Sequence, residues 1–196
     1  MNRYFDLHFN RNIVTIYPGE FWVSSEQEMI STILGSCVSI VLFDPVAVVG
    51  GMNHFMLAKD TQISPQNQNE TLGRYGEYAV EMLISEMEKK GAVLNRCYAK
   101  VFGGSNIFNT ETHSDKDLVG DANVKFAFDY LKLKNIKIKS SDTGGNLPRK
   151  IFFDPTTSKI YLKRINNRAT DDEQIKSSER KFIEYLAELN RLSKRK

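Results

Sequence analysis

The stretch of sequence that decides the fold runs from Leu34 to His54 and reads LGSCVSIVLFDPVAVVGGMNH. It contains two apolar, β-branched runs with Asp-Pro between them, and glycines stand near both outer ends. This pattern predicts two antiparallel strands joined by a tight turn. If Pro45 and Val46 form the tip of that turn, the register brings Cys37 directly opposite His54.

A cysteine beside a histidine indicates nucleophilic catalysis, because an imidazole that accepts the thiol proton produces a reactive thiolate. A structural interpretation stands beside this one. A lone cysteine is often a small buried core residue, and a lone histidine near an apolar strand is often a hydrogen-bonded structural residue. A β-bulge would also shift the register by one residue and turn the two side chains to opposite faces. The pattern alone leaves both interpretations of Cys37 and His54 open.

The composition is typical of a globular protein with one domain. The 196 residues are 41% apolar and 26% charged, and the formal net charge is only +3. Nucleic acid is not an expected partner, because a binder would carry a basic stripe with interleaved aromatic residues. Insertion into a membrane is not expected either, because no apolar run approaches the roughly 20 residues that a spanning helix needs.

The cysteines and histidines argue against a secreted disulfide-rich protein and against a metal-binding protein. Cys37 and Cys97 could form one disulfide, but no other cysteine is present to build a secreted disulfide framework. No N-terminal signal sequence precedes the first charged residues, so a cytoplasmic location with reduced thiols is expected. The three histidines are scattered and no CxxC or HExxH spacing occurs, so no metal site is expected.

The rest of the chain alternates strand and helix patterns irregularly. Strand patterns occur at residues 13–17, 21–24, 97–102, 136–138, 151–153 and 160–165. Apolar residues at helical spacing predict helices over residues 75–83 and 124–131. A polar stretch at 59–73 is predicted as an exposed loop, and a second polar stretch covers 110–118. With no GxGxxG or Walker pattern, the prediction is an α+β fold, a β-sandwich of mixed sheets flanked by helices.

The two ends of the chain are interpreted separately. Residues 1–12 show no clear period and are expected to form a short arm of a domain that spans residues 1–165. Residues 166–196 are strongly charged but keep an apolar stripe at helical spacing, which predicts a C-terminal helical extension. This helix could cover the core or dock on a partner.

Six separate stretches resemble one known family, the chemoreceptor glutamine deamidase CheD of bacterial chemotaxis. They are LGSCV at 34–38, GGMNHFML at 50–57, RYG at 74–76, VFGGSNIF at 101–108, GDANV at 120–124, and DTGGN at 142–146 with Arg149 and Lys150. LGSC alone would be a weak signal, whereas six ordered blocks make the resemblance specific over residues 13–165.

The resemblance implies hydrolysis of glutamine side chains on methyl-accepting chemotaxis receptors to glutamate, with release of ammonia. It also implies a catalytic set of Cys37, His54 and a hydroxyl residue, for which Thr32 is expected and Ser31 is the alternative. No metal or organic cofactor is implied. In the resembling family the neighbourhood of Phe102 belongs to the surface that meets a CheC-type phosphatase, which makes such a phosphatase a second candidate partner.

The expected chemistry follows from these groups. His54 would take the proton of Cys37, the thiolate would attack the amide carbon, and water would release glutamate from the resulting thioester. Backbone N–H groups of residues 35–37 are suitable oxyanion donors, because glycine permits close approach. Two other functions stay open. The chain could be a non-catalytic chemotaxis module that binds a phosphatase or a receptor, or a cysteine amidase or protease with another substrate range.

Overall fold

The computed structural model describes residues 1–57, 65–106 and 119–165, with the side chains of the first helix described from residue 75 onward. Beyond residue 165 it describes only Ser177 and Glu184, both helical. The C-terminal helix predicted over residues 166–196 therefore lies outside the described residues apart from these two positions. The polar stretch at 110–118 lies outside them altogether.

Within the described residues, ten strands form two five-stranded sheets. The first sheet has the order β1 (Asn2–Asp6), β2 (Arg11–Thr15), β4 (Glu28–Leu34), β9 (Arg149–Phe153) and β10 (Ile160–Arg164). The second has the order β3 (Phe21–Ser24), β6 (Val49–Asn53), β5 (Val38–Asp44), β7 (Tyr98–Gly103) and β8 (Lys137–Thr143). The helices are α1 (Pro65–Lys89), α2 (Val119–Leu133) and a short 3₁₀ helix, Leu94–Arg96.

The two sheets pack face to face, and α1 and α2 cover the outer face of the second sheet. Side chains from both sheets form one apolar core between them, with members such as Ile30, Phe153 and Met52. A second core joins the second sheet to the two helices, with members such as Leu83 and Leu131. Both sheets are mixed, since β2 pairs in parallel with β4 and β7 with β8. The α+β sandwich predicted from the sequence is confirmed.

Strand β5 lies in the middle of the second sheet and is buried along its whole length. Alternate residues of a strand point to opposite faces. Val38, Ile40 and Leu42 belong to the core under the helices, whereas Val41 and Phe43 belong to the core between the sheets. This alternation decides which face of β5 carries the candidate site.

The predicted hairpin of β5 and β6 is present, but its turn is longer than predicted. Asp44 pairs with Val49 rather than with Ala47, so four residues connect the strands. The Asp44 carboxylate accepts hydrogen bonds from the backbone N–H groups of Val46 and Ala47, at 2.9 and 3.2 Å. An aspartate that bonds to the backbone two residues on makes a turn of its own, and this turn replaces the two-residue tip.

Two other segments differ from their prediction. The arm predicted over residues 1–12 contains β1, which pairs antiparallel with β2 and forms an edge of the first sheet. The loop predicted over residues 59–73 is wrong from Pro65 onward, because α1 begins there. Proline is favoured in the first turn of a helix, where its missing N–H has no partner to lose. Neither helix in the described part of the chain combines the length and apolarity needed to cross a bilayer.

Candidate active site

Cys37 lies where the chain crosses from β4 of the first sheet to β5 of the second. Its side chain is fully buried in the core between the sheets and forms no disulfide. Its carbonyl oxygen accepts a hydrogen bond of 2.7 Å from the backbone N–H of Gly104. A Cβ atom on Gly103 would stand 2.2 Å from the same oxygen, so only glycine fits beside this carbonyl.

His54 directly follows β6, and its pairing differs from the prediction. The bridge between Val38 and Phe55 aligns Cys37 with Met56, so the predicted direct pairing of Cys37 with His54 is wrong by two residues. Side chains of a strand alternate between its faces with a period of two. A register shift of two residues therefore leaves Cys37 and His54 on the same face. They are diagonal neighbours, which in antiparallel sheets lie roughly 7–8 Å apart and within reach of long side chains.

The backbone around His54 is held from two directions. The His54 N–H donates to the carbonyl of Glu20 at 2.9 Å, and the His54 carbonyl accepts from the N–H of Gly19 at 2.8 Å. On the β5 side, the N–H of Ile40 donates at 2.8 Å to the side-chain oxygen of Asn53. A side chain thus takes the place of a backbone acceptor directly before His54, and the histidine stays fixed where the ladder of β5 and β6 is interrupted.

Thr32, and not Ser31, contacts His54. Thr32 Oγ1 lies 2.8 Å from His54 Nδ1. Ser31 Oγ lies 2.9 Å from Thr15 Oγ1, because adjacent residues of β4 point to opposite faces of the first sheet. Of the two hydroxyls that the sequence left as alternatives, the geometry therefore favours Thr32.

The hydrogen bonds of Thr32 determine which nitrogen of His54 carries the proton. The hydroxyl has a single hydrogen, and it donates this hydrogen to the carbonyl of Ile16 at 2.8 Å. The Thr32 oxygen therefore accepts the hydrogen bond from Nδ1–H of His54. Nε2 is then the unprotonated nitrogen, buried and without a hydrogen-bond partner among the described residues.

Burial also keeps the imidazole neutral. The His54 side chain lies in the interior, and desolvation lowers its pKa to about 3. At physiological pH the ring is an uncharged base whose lone pair is on Nε2. An unprotonated nitrogen that shares a face with a thiol can accept the proton that a cysteine must lose to become a nucleophile.

Other residues at the site carry roles that the sequence reasoning did not assign. Asn53, Ser105 and Asn123 are all buried polar residues that hold backbone groups near the site. Each lies in one of the six stretches that resemble the family. A polar residue within such a stretch was therefore the sequence feature that could have indicated these roles. Phe102 is 5% exposed and belongs to the core between the sheets. The expected contact between the neighbourhood of Phe102 and a CheC-type phosphatase stays a prediction.

Known proteins similar to this chain share one family description. Residues 56–164 match the family described as CheD chemotactic sensory transduction. A Shewanella oneidensis protein named "Probable chemoreceptor glutamine deamidase CheD 1" is 42% identical over 164 residues, which cover 84% of this chain and 78% of the relative. A Hahella chejuensis protein, "Probable chemoreceptor glutamine deamidase CheD", is 38% identical and the match covers 87% and 79%. A Burkholderia thailandensis relative with the first of these names is 42% identical, with 87% and 71% covered.

Proposed function

Because the chain belongs to the CheD family, we propose that it hydrolyses the side-chain amide of chemoreceptor glutamines to glutamate and ammonia. The observation that carries the proposal is the hydrogen-bond chain from Ile16 through Thr32 to His54, which leaves Nε2 as the base on the face that Cys37 shares. The names of the relatives support the same activity. Thiol, neutral imidazole and orienting hydroxyl are the groups that nucleophilic amide hydrolysis requires.

The first half of the proposed reaction forms a thioester. His54 Nε2 takes the proton of the Cys37 thiol, and the sulfur forms a bond with the amide carbon of the glutamine. The carbonyl electrons move to the oxygen and produce a tetrahedral oxyanion. When this intermediate collapses, the carbon–nitrogen bond breaks and the protonated His54 gives its proton to the departing nitrogen, which leaves as ammonia.

The second half of the reaction consumes water. His54 Nε2, neutral again, takes a proton from a water molecule whose oxygen attacks the thioester carbon. The second tetrahedral intermediate expels the sulfur of Cys37, which regains its proton from His54. The net change is the addition of one water and the loss of one ammonia. The Cys37 thiol and the His54 imidazole return to their starting protonation states.

Thr32 contributes by orientation in both halves. It accepts from Nδ1–H whether the ring is neutral or protonated, so it keeps Nε2 directed at the reacting atoms throughout. The hydroxyl keeps this role because the Ile16 carbonyl occupies its own hydrogen. Thr32 is in this sense a positioning residue for His54.

The burial of the site favours a neutral substrate group. Cys37 and His54 are 0% and 3% exposed, so the side chain that reaches them leaves water behind. A glutamine amide enters such an environment at a far lower cost than a carboxylate, whose desolvation is much more expensive. The same difference favours departure of the product, because glutamate is charged at neutral pH. Binding of the receptor must also include a local opening that exposes the sulfur.

The test uses the purified protein and a soluble cytoplasmic fragment of a chemoreceptor. We expect release of ammonia and conversion of specific glutamine peptides to glutamate peptides, measured by peptide mass, and loss of both in Cys37→Ala. Conversion that persists in Cys37→Ala would contradict the assignment of the nucleophile. Stable binding of the fragment without any conversion would instead support the non-catalytic module, and hydrolysis of free amides or peptide bonds would support a different amidase or protease.

A further inference from the structure

Asn123 connects the two chain segments that carry the proposed nucleophile and base. It lies on α2, and its side chain is fully buried. Its Nδ2 donates a hydrogen bond of 2.7 Å to the carbonyl of Ser36, and its Oδ1 accepts one of 2.7 Å from the N–H of Leu57. Ser36 directly precedes Cys37, and Leu57 lies three residues after His54. One amide group thus ties both segments together.

The partners of Asn123 also fix the orientation of its amide. A backbone carbonyl can only accept a hydrogen bond and a backbone N–H can only donate one. The nitrogen must therefore face Ser36 and the oxygen must face Leu57, since a flipped amide would lose both bonds. Neither an aliphatic nor an acidic side chain of this size can replace both.

The bond to Ser36 holds the peptide that leads into Cys37. The Ser36 carbonyl and the Cys37 N–H belong to one planar trans peptide, so they point in opposite directions. The neighbouring carbonyls are held as well. That of Gly35 accepts from the N–H and the hydroxyl of Ser105, both at 2.8 Å, and that of Cys37 accepts from the backbone of residue 104. Asn123 holds the Ser36–Cys37 peptide between these two carbonyls.

Close backbone packing holds α2 at the required distance. A Cβ atom on Gly120 would stand 2.5 Å from the carbonyl oxygen of Gly104, and one on Gly104 would stand 2.2 Å from Cγ2 of Val124. The first turns of α2 therefore rest directly on the segment that follows β7. This contact brings Asn123 within hydrogen-bond distance of the turn that holds Cys37.

We propose that Asn123 is a positioning residue for deamidation, which holds the Ser36–Cys37 peptide in place and keeps Cys37 aligned with His54. The inference rests on the proposed function. It assigns to a residue remote in sequence the alignment of the nucleophile with its base, on which the rate of the chemical step depends.

The experiment compares substitutions of Asn123 with a substitution elsewhere on the same helix. Asn123→Ala removes both hydrogen bonds. The isosteric Asn123→Asp keeps an acceptor for Leu57 but has no donor for Ser36. Leu131→Ala, in the core under the helices, serves as the control because it weakens the packing of α2 without touching the turn. The readouts are kcat and KM for the receptor fragment, together with thermal unfolding of each variant.

We expect kcat to fall about 10- to 100-fold in both Asn123 variants with KM unchanged, because small displacements of a reacting group cost this much. Leu131→Ala should keep the kcat of the wild type at temperatures where it is folded. Equal kcat in Asn123→Asp and the wild type would overturn the inference, as would equal losses of kcat in Asn123→Ala and Leu131→Ala. If the wild type itself converts no receptor glutamine, the proposed function falls and this inference falls with it.

Discussion

Both faces of the second sheet are buried, but they differ in whether their buried polar side-chain atoms have hydrogen-bond partners. Under the helices, both polar atoms of the Asn53 amide have a partner: the oxygen accepts from the N–H of Ile40 at 2.8 Å, and the nitrogen donates to the carbonyl of Ala79 at 3.3 Å. Between the sheets, Nε2 of His54 and Oγ of Ser39 have no hydrogen-bond partner among the described residues. The register places Ser39 opposite His54, so both unpaired atoms belong to one locality.

This difference separates stability from chemistry. A buried polar atom without a partner costs about 1–3 kcal/mol, and folded proteins seldom keep one without a reason. On the helix side, the side-chain atoms of Asn53 have partners. On the side between the sheets, Nε2 of His54 has none among the described residues, and it lies on the face that Cys37 shares. The face between the sheets is thus the expected reactive face, and the face under the helices is the stabilising one.

The two cysteines, one on each face, allow the division between the faces to be tested directly. Cys37→Ala should lower kcat for receptor deamidation by about four orders of magnitude or more, because the nucleophile is removed. Cys97→Ala should leave kcat unchanged, since Cys97 lies in the core under the helices and burial raises its pKa to about 11. The measurement is ammonia release from the receptor fragment.

Equal losses of activity in the two cysteine variants would contradict the division between the faces. Both variants should unfold near the wild-type temperature, because exchange of a thiol for hydrogen removes little buried volume. A circular dichroism melt of each protein checks this condition.

The reverse experiment deletes apolar volume on the stabilising face. Leu42 is fully buried under the helices. Leu42→Ala should lower the free energy of unfolding by about 2–5 kcal/mol, because a cavity remains where the side chain packed. The free energy is measured by urea denaturation. The kcat of the folded variant should match that of the wild type, and a large fall in kcat under folding conditions would show that the two faces are coupled.

The next effect concerns the hydroxyl that orients the base. Thr32→Val keeps the shape of the side chain but leaves Nδ1–H of His54 without its acceptor, so kcat should fall about 100-fold as the ring loses its fixed orientation. Thr32→Ser keeps the oxygen and should retain most of the activity. Steady-state kinetics of both variants with the receptor fragment make the measurement, and similar kcat values for Val and Ser would remove Thr32 from the proposed mechanism.

The sequence pattern was sufficient to predict that Cys37 and His54 lie on one face, because the alternation of side chains along a strand depends only on local geometry. It was not sufficient for their register. That depends on the loop that Asp44 builds with the N–H groups of Val46 and Ala47, a side-chain interaction that competes with the tight turn expected from Asp-Pro.

The third group of the site was less accessible to pattern reasoning. Thr32 is five residues from Cys37 in sequence, but it lies in the other sheet, because the chain changes sheets between them. Its contact with His54 therefore depends on the packing of two sheets, and only the family resemblance indicated it. Asn123 is further removed still, since its bond to Ser36 joins residues 87 positions apart. Contacts of this kind follow from tertiary packing rather than from local periodicity.

The smallest effect expected concerns pH, and it tests the burial of His54 on the reactive face. In the folded chain the pKa of His54 is lowered to about 3, whereas an unfolded histidine titrates near 6.5. Below pH 6.5 the unfolded chain therefore binds a proton that the folded chain does not, so stability falls as the pH decreases from there towards 3. Between pH 7 and pH 5 this linkage should remove about 2 kcal/mol from the free energy of unfolding.

The matched variant is His54→Gln, which keeps a polar side chain but cannot titrate. Urea denaturation of both proteins at pH 7 and pH 5 isolates the contribution of His54, because the other titrating groups are common to both. Asp44, whose pKa is lowered to about 2, contributes to stability above its ordinary value of 3.8 and loses that contribution only at lower pH, outside this interval. If wild type and variant lose the same stability, His54 is accessible to protons in the folded state. The reactive face would then be open to water, and the argument that its burial selects a neutral amide over a carboxylate would fail.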